Sequence, residues 1–220
     1  MEAKELIACR VAQELKDGDV VNLGIGLPTL IPNYLPAGVS ITLQSENGFL
    51  GLGPLVGEPT PDLVNAGGQP CGMLPGTAFF DSAMSFAFIR GGHVDVTVLG
   101  GLEVDQHGNL ANWMVPGKMV PGMGGAMDLV TGAKNVVVAM EHATKKGEAK
   151  ILKQCTLPLT AAGKVKAIVT ELAFFRFIDG VLTLVETGPG VTLDEIRAKT
   201  EAEFVVSPDC REMRLPNCQP

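Results

Sequence analysis

Apolar residues recur at Ala3, Ile7, Val11 and Leu15, a spacing that puts them on one face of a helix over residues 2–16. Asp17-Gly18-Asp19 supplies the stop. Beyond it the pattern changes to short continuous apolar runs at Val20–Leu23, Val39–Leu43, Leu63–Asn65, Val94–Leu99, Val136–Met140 and Ala167–Thr170. Most are bounded by glycine, as strands covered on both faces are. Helical stretches fall between them at Pro28–Tyr34, Asp81–Ile89 and Ala126–Thr131. The alternation predicts an α/β fold, an open, largely parallel sheet with helices on both faces. Near the end, Ala173–Ile178 and Val181–Glu186 flank Asp179-Gly180, a hairpin signal, and Thr192–Lys199 reads as a short capped helix. One domain over residues 1–206 is expected, with residues 207–220 as a loosely held tail rich in Pro, Cys and charge.

Composition narrows the classes. At 220 residues the chain is long enough to bury a substantial core. A net charge of -7 with no block of Lys or Arg argues against nucleic acid as a partner. The longest apolar runs are far short of a membrane span, so no membrane association is expected. Met1-Glu2-Ala3-Lys4-Glu5 lacks a basic region followed by an apolar core, so no secretory leader is expected either. Five cysteines, an odd number without a C-x-x-C pair, read as reduced thiols in a cytoplasmic protein.

The candidate chemistry gathers at Leu43-Gln44-Ser45-Glu46-Asn47-Gly48-Phe49-Leu50-Gly51. Asn47 and Gly48 are residue types at ease in a tight turn, so Glu46 stands where a strand stops. In open α/β sheets ligands bind beyond the carboxyl ends of the strands. Phe49 and Leu50 lie just beyond, and a poorly solvated carboxylate is the better nucleophile or base. On spacing alone the residue is equally well a turn carboxylate capping a backbone N–H. Two glycine loops, Gly24-Ile25-Gly26 and Gly122-Met123-Gly124-Gly125, each follow apolar sequence and precede a helix. They are either anion or oxyanion cradles or plain strand-to-helix turns, and neither fits the dinucleotide G-x-G-x-x-G pattern.

His93, His107 and His142 match no metal-pair spacing and read as structural or surface residues, so no metal is expected. Cys71 and Cys155 lack a paired histidine and read as inert thiols. Asp81 and Ser82 read as a helix N-cap, Trp113 as packing or pocket wall, and Lys118 as a solvated cation or an anion contact.

The nine-residue block around Glu46 resembles the active-site signature of the class I coenzyme A-transferases, in the β subunit of the 3-oxoacid type. The resemblance extends through Asn22-Leu23-Gly24-Ile25-Gly26-Leu27-Pro28-Thr29, Asn65-Ala66-Gly67, Ile89-Arg90-Gly91-Gly92-His93, Ala111–Lys118, Gly122–Asp128 and Cys155–Thr160. These blocks run in order from about residue 4 to about residue 206. The resemblance implies a fold akin to that of sugar-phosphate isomerases. It also implies a ping-pong transfer through a glutamyl-CoA thioester on Glu46, with coenzyme A a substrate and no cofactor. Gly125 is implied as a main-chain oxyanion donor, with Gly124, Ala126, Asn47 and Gly48 completing the oxyanion and CoA-binding set. The loop of Gly24 and Gly26 is a further candidate for contact with substrate or CoA. A CoA-transferase α subunit is the implied partner, in an α2β2 assembly.

The block Asn112–Met119 and Phe80-Asp81-Ser82 are more like acetate- and acetoacetate-handling members than 3-oxoadipate ones. Gly68 stands where several succinyl-CoA-using relatives carry lysine, which favours a short monocarboxylic acyl-CoA. Two rival readings are a sugar-phosphate isomerase with Glu46 as a proton-abstracting base, and a non-catalytic binding protein on the same fold.

Overall fold

The computed structural model describes residues 1–118 and 122–215. The chain opens with helix α1 (Ala3–Ala12), whose Ile7, Ala8, Val11 and Ala12 are buried. It ends sooner than residue 16. Asp19 Oδ2 accepts a 2.8 Å hydrogen bond from Lys16 N, and this turn draws the backbone out of the helix while Leu15 still reaches the core. Strand β1 (Val20–Leu23) follows as expected, then a 3-10 helix over Leu27–Tyr34. Pro32 inside that segment removes the donor an α-helix would need.

Next come β2 (Thr42–Ser45), β3 (Phe49–Gly53) and β4 (Gly72–Phe79). Helix α2 (Ser82–Arg90) is capped by Asp81, whose side chain accepts from Met84 N. Then follow β5 (Val96–Leu99), β6 (Glu103–Asp105), β7 (Leu110–Ala111), helix α3 (Ala126–Gly132), β8 (Asn135–Ala139) and β9 (Ile151–Leu152). The chain closes with β10 (Ala167–Val169), β11 (Ala173–Ile178), β12 (Val181–Thr187), helix α4 (Leu193–Ala198) and β13 (Val205–Glu212). The Asp179-Gly180 turn has φ values of 50° and 80°, the left-handed pair that a two-residue hairpin requires. Thr192 caps α4 by accepting from Glu195 N.

Ten strands form one sheet in the order β13-β12-β11-β10-β8-β5-β1-β2-β3-β4, and β7-β6-β9 form a second, small one. The central run β10-β8-β5-β1-β2 is parallel throughout. Its side chains alternate between two apolar layers. Val136 and Val138 of β8 join Ile89 of α2, Leu129 of α3 and Ile196 of α4, while Val137 and Ala139 join Ile7 and Val11 of α1. Helices therefore cover both faces, as predicted. Arg10 ties α1 to the sheet: its Nε meets Glu186 Oε2 at 2.5 Å, and its guanidinium lies 4.3 Å from the Phe174 ring centroid.

Three expectations change. The stretch Val39–Leu43 pairs only from Thr42 onward, because the register Val20↔Thr42, Val21↔Leu43 and Asn22↔Gln44 carries the strand through Ser45. Leu63–Asn65 is no strand. Asn65 Oδ1 accepts from Gly67 N and Gln69 N, closing a side-chain-stabilised turn that leaves only a Val64↔Pro70 bridge. The loose tail does not begin at residue 207, since β13 pairs in parallel with β12 through Glu212 and Met213 is buried. Residues 216–220 of that tail lie outside the described residues.

His142 is fully buried, with Nδ1 2.8 Å from Thr170 Oγ1 and Nε2 2.9 Å from Thr200 Oγ1. Burial, reinforced by Lys199 and Lys150, holds its pKa down at about 4. The unfolded chain binds this proton below about pH 6.5 and the folded chain does not. Stability from the neutral ring is therefore fully present above about pH 6.5 and is lost as the pH falls toward 4. Urea unfolding at pH 7 and 4.5 is expected to show a fall of about 2 kcal/mol from this group, absent in His142→Gln.

Candidate active site

Parallel strands β1, β2 and β5 end together, and a cavity of about 1030 Å³ opens beyond their carboxyl ends. Its wall includes Asn22, Gly24, Glu46, Gly100, Asn112 and Gly125. Glu46 is the first residue after β2, in a turn closed by Gly48 N donating to Ser45 O at 3.0 Å. It is half-buried between a buried strand and the open cavity.

The turn is clamped on several sides. Gly48 has φ 126°, and a Cβ there would lie 2.3 Å from the Phe80 carbonyl oxygen, so only glycine fits. Phe80 N donates back to Gly48 O at 2.9 Å. Asn47 Nδ2 donates to Val64 O at 2.7 Å, and Ser45 Oγ accepts from Ala66 N at 3.1 Å. These two bonds moor the Asn65-Ala66-Gly67 wall to the residues on either side of Glu46. Asn47 and Gly48 thus shape the turn rather than line the cavity.

Gly24, Gly124, Gly125 and Ala126 do line it. The loop before α3 brings Gly125 so close that a Cβ would lie 3.1 Å from Glu46 Cγ. Among the described residues no partner engages the Gly125 N–H. The other two loop amides are differently placed: Ala126 N donates to Met123 O at 3.2 Å, and Gly24 N donates to Val98 O at 2.8 Å. Gly24 N–H is therefore part of the sheet ladder rather than bare toward a ligand. Gly26, with φ 87°, starts the 3-10 helix and stands outside the cavity wall. Phe49 is not the apolar neighbour that its position next to the turn led us to expect. It is buried in the sheet, its ring 5.3 Å from Phe79, and Leu43, Leu52 and Leu99 provide apolar wall instead.

Asn22, quoted in the sequence only as part of a motif and given no role of its own, holds the carboxylate. Asn22 Nδ2 lies 3.1 Å from Glu46 Oε2 and 2.7 Å from Gln44 Oε1. Gln44 Nε2 donates to Ser85 Oγ on α2 at 3.2 Å. The available signal was an asparagine inside the apolar strand Val20-Val21-Asn22-Leu23.

The remaining candidates stand elsewhere. His93 and His107 are exposed, and His142 is taken up by its two threonines. Burial, with Asp105 and Glu103 adding to it, pushes the Cys155 thiol up to about 12, and burial raises Cys71 as well. Neither is a thiolate at neutral pH. Cys71, Cys155 and Cys210 carry free thiols, whereas Cys9 is disulfide-bonded, contrary to the expectation of five reduced thiols. Trp113 lines the cavity and donates to Leu159 O at 3.3 Å, while Lys118 is exposed. Met119, the end of the block compared with acetoacetate-handling relatives, lies outside the described residues. Among the described residues no cluster of His, Cys, Asp and Glu is arranged to hold a metal, and no helix is long and apolar enough to cross a membrane.

Comparison with known proteins places this geometry in a family context. The sequence profile described as "Coenzyme A transferase" matches residues 4–199. The chain is similar to the beta subunit of acetate CoA-transferase from Escherichia coli K12, 68% identical over 214 residues, covering 97% of this chain and 99% of the relative. It is 56% identical over 205 residues to the corresponding subunit of succinyl-CoA:3-ketoacid coenzyme A transferase from Helicobacter pylori 26695, covering 92% of this chain and 99% of that relative. Among solved structures it is similar to the acyl-CoA transferase YdiF of Escherichia coli O157:H7, with TM-score 0.79 and 25% identity. That match covers 97% of this chain but 43% of the longer YdiF chain. Glutaconate coenzyme A-transferase of Acidaminococcus fermentans shares the fold at TM-score 0.72 and 19% identity, covering 98% and 90% of the two chains.

Gly48→Ala is expected to lower the unfolding free energy by about 3 kcal/mol, from its positive φ and the clash with the Phe80 carbonyl. Gly26→Ala, also at positive φ but with open space around the new methyl, is expected to cost about 1 kcal/mol. Chemical denaturation of the two variants measures the difference.

Proposed function

We propose, from the premise that this chain belongs to the coenzyme A transferase family, that it is the β subunit of an enzyme moving CoA between a short acyl-CoA, such as acetyl-CoA, and a carboxylic acid such as acetoacetate. The observation that carries this reading is Glu46, a half-buried carboxylate at a strand's carboxyl end, facing a cavity of about 1030 Å³.

One oxygen of the Glu46 carboxylate attacks the thioester carbonyl. The C–S bond breaks, CoA thiolate leaves, and an acyl-glutamyl anhydride remains. The thiolate then attacks the glutamyl carbonyl, the first acid departs as its carboxylate, and Glu46 carries CoA as a thioester. An incoming carboxylate repeats the sequence in reverse and restores free Glu46. Each step exchanges one activated acyl bond for another, so the free energy of the thioester is passed on without ATP, metal or resident cofactor.

Negative charge develops on a carbonyl oxygen at each attack. The Gly125 N–H, without a partner among the described residues and beside Glu46, serves as a donor to it. Gly124 gives that loop its bend at φ 53°. Hydrolysis of the activated glutamyl carbonyl would waste the thioester, so the cavity must close against water. An α subunit covering its open side meets that need, in an α2β2 assembly working in the cytoplasm on short-chain fatty acids and ketone bodies. The subunit designations carried by the relatives support the partner.

A second reading, a succinyl-CoA donor, draws on the H. pylori relative at 56% identity. Gly68 favours the first. It is exposed at φ 73° beside the cavity-wall residues Gly67 and Gln69, and it brings no cation to meet a second carboxylate.

With the α subunit copurified, incubation with acetoacetyl-CoA followed by borohydride or hydroxylamine is expected to modify Glu46 in the wild type and leave Glu46→Ala unlabelled. An active enzyme whose Glu46 stays unmodified sinks the mechanism. Gly125→Ala, by displacing the Glu46 side chain, is expected to lower kcat about a hundredfold. In an acceptor panel, acetate and butyrate are expected to exceed succinate in kcat/KM, and a preference for succinate contradicts the argument from Gly68.

A further inference from the structure

Asn22 sits on β1, flanked by β5 and β2 in the middle of the large sheet, and is 1% exposed. An amide there has lost its water, so each of its polar atoms needs a partner from the protein. Its Nδ2 has three: Gln44 O at 3.2 Å, Gln44 Oε1 at 2.7 Å and Glu46 Oε2 at 3.1 Å. Two hydrogens spread over three acceptors, one of them a carboxylate, fix the amide's orientation, because a flip would set Oδ1 against all three oxygens. Gln44 is itself fixed through Ser85.

The other end of the amide is unfinished. Among the described residues, Asn22 Oδ1 and Thr97 Oγ1 are buried without a hydrogen-bond partner. Asn22 on β1 and Thr97 on β5 are register partners in parallel strands, so their side chains leave the sheet on the same face. An orphaned acceptor therefore stands beside an orphaned hydroxyl that is able to donate. Two unmet polar groups in adjacent strands, one of them on the side chain whose Nδ2 bonds Glu46, call for a role beyond packing.

Resting on the reading of Glu46 as the nucleophile, we propose that Asn22 aims the Glu46 carboxylate and that Thr97 is a positioning residue acting through Asn22. The Asn22 amide holds Oε2 and leaves Oε1 as the attacking oxygen. Oε2 then becomes the carbonyl oxygen of the glutamyl anhydride and thioester, with the same N–H still directed at it. Thr97 Oγ1 holds Asn22 Oδ1 from behind, by rotation of its side chain or through one buried water, and keeps the amide from turning as charge leaves the carboxylate.

The test uses the enzyme copurified with its α subunit, reading kcat, KM and the single-turnover appearance of the CoA adduct on Glu46 by mass spectrometry. Asn22→Ala is expected to slow adduct formation and kcat about tenfold to a hundredfold with KM changed less than about twofold. Asn22→Ser carries the same readout should the alanine variant fail to fold. Thr97→Val is expected to lower kcat about threefold to tenfold at unchanged KM, with Thr97→Ser, which keeps the hydroxyl, restoring most of the rate. Wild-type kcat in the Asn22 variants, or a loss confined to KM, overturns the role of Asn22. Wild-type kcat in Thr97→Val overturns the relay to β5. A wild-type enzyme that turns over without ever carrying an adduct on Glu46 removes the underlying mechanism itself, a result distinct from either.

Discussion

The site depends on the reversal of chain direction after β2. Strands β1 and β2 run parallel, but β3 returns antiparallel to β2, so the chain must turn at the mouth of the sheet instead of crossing over through a helix. A turn this tight against Phe80 admits only glycine at position 48. The residue forced outward at its start is Glu46. Because Val64 and Ala66 of the segment 64–67 are hydrogen-bonded to Asn47 and Ser45 on either side of Glu46, the turn is tied directly to one cavity wall.

Rigidity here is obtained with polar groups in buried positions. Asn22, Gln44 and Ser85 are all buried and hydrogen-bonded in series, so removing any one leaves its neighbour without a partner. What they provide is direction. A carboxylate free to rotate in a wide cavity samples many orientations, whereas one held at Oε2 keeps a defined one. The same economy of space explains Gly125, whose missing side chain leaves room for the Glu46 side chain against the loop before α3. The fold alone assigns no reaction; these few contacts set this pocket apart from a generic crevice at the end of an α/β sheet.

Local signals were readable from the residues themselves: the Asp81 and Thr192 caps, the Asp179-Gly180 hairpin, the strand at Val20–Leu23 and the turn at Glu46 all arise from preferences of a few neighbouring residues. The family motif around Glu46 was legible for the same reason, being contiguous. Where local preference and pairing disagreed, pairing prevailed: β2 took its register from β1, and Asn65 turned an apolar run into a loop. Tertiary structure alone decided that Gly125 meets Glu46 while Gly24 spends its N–H on the sheet, that Phe49 faces away from the cavity, and that Asn22 and Thr97 stand side by side. These contacts join residues from separate strands and loops, and no periodicity along a chain records which distant atoms will share the space it encloses once folded.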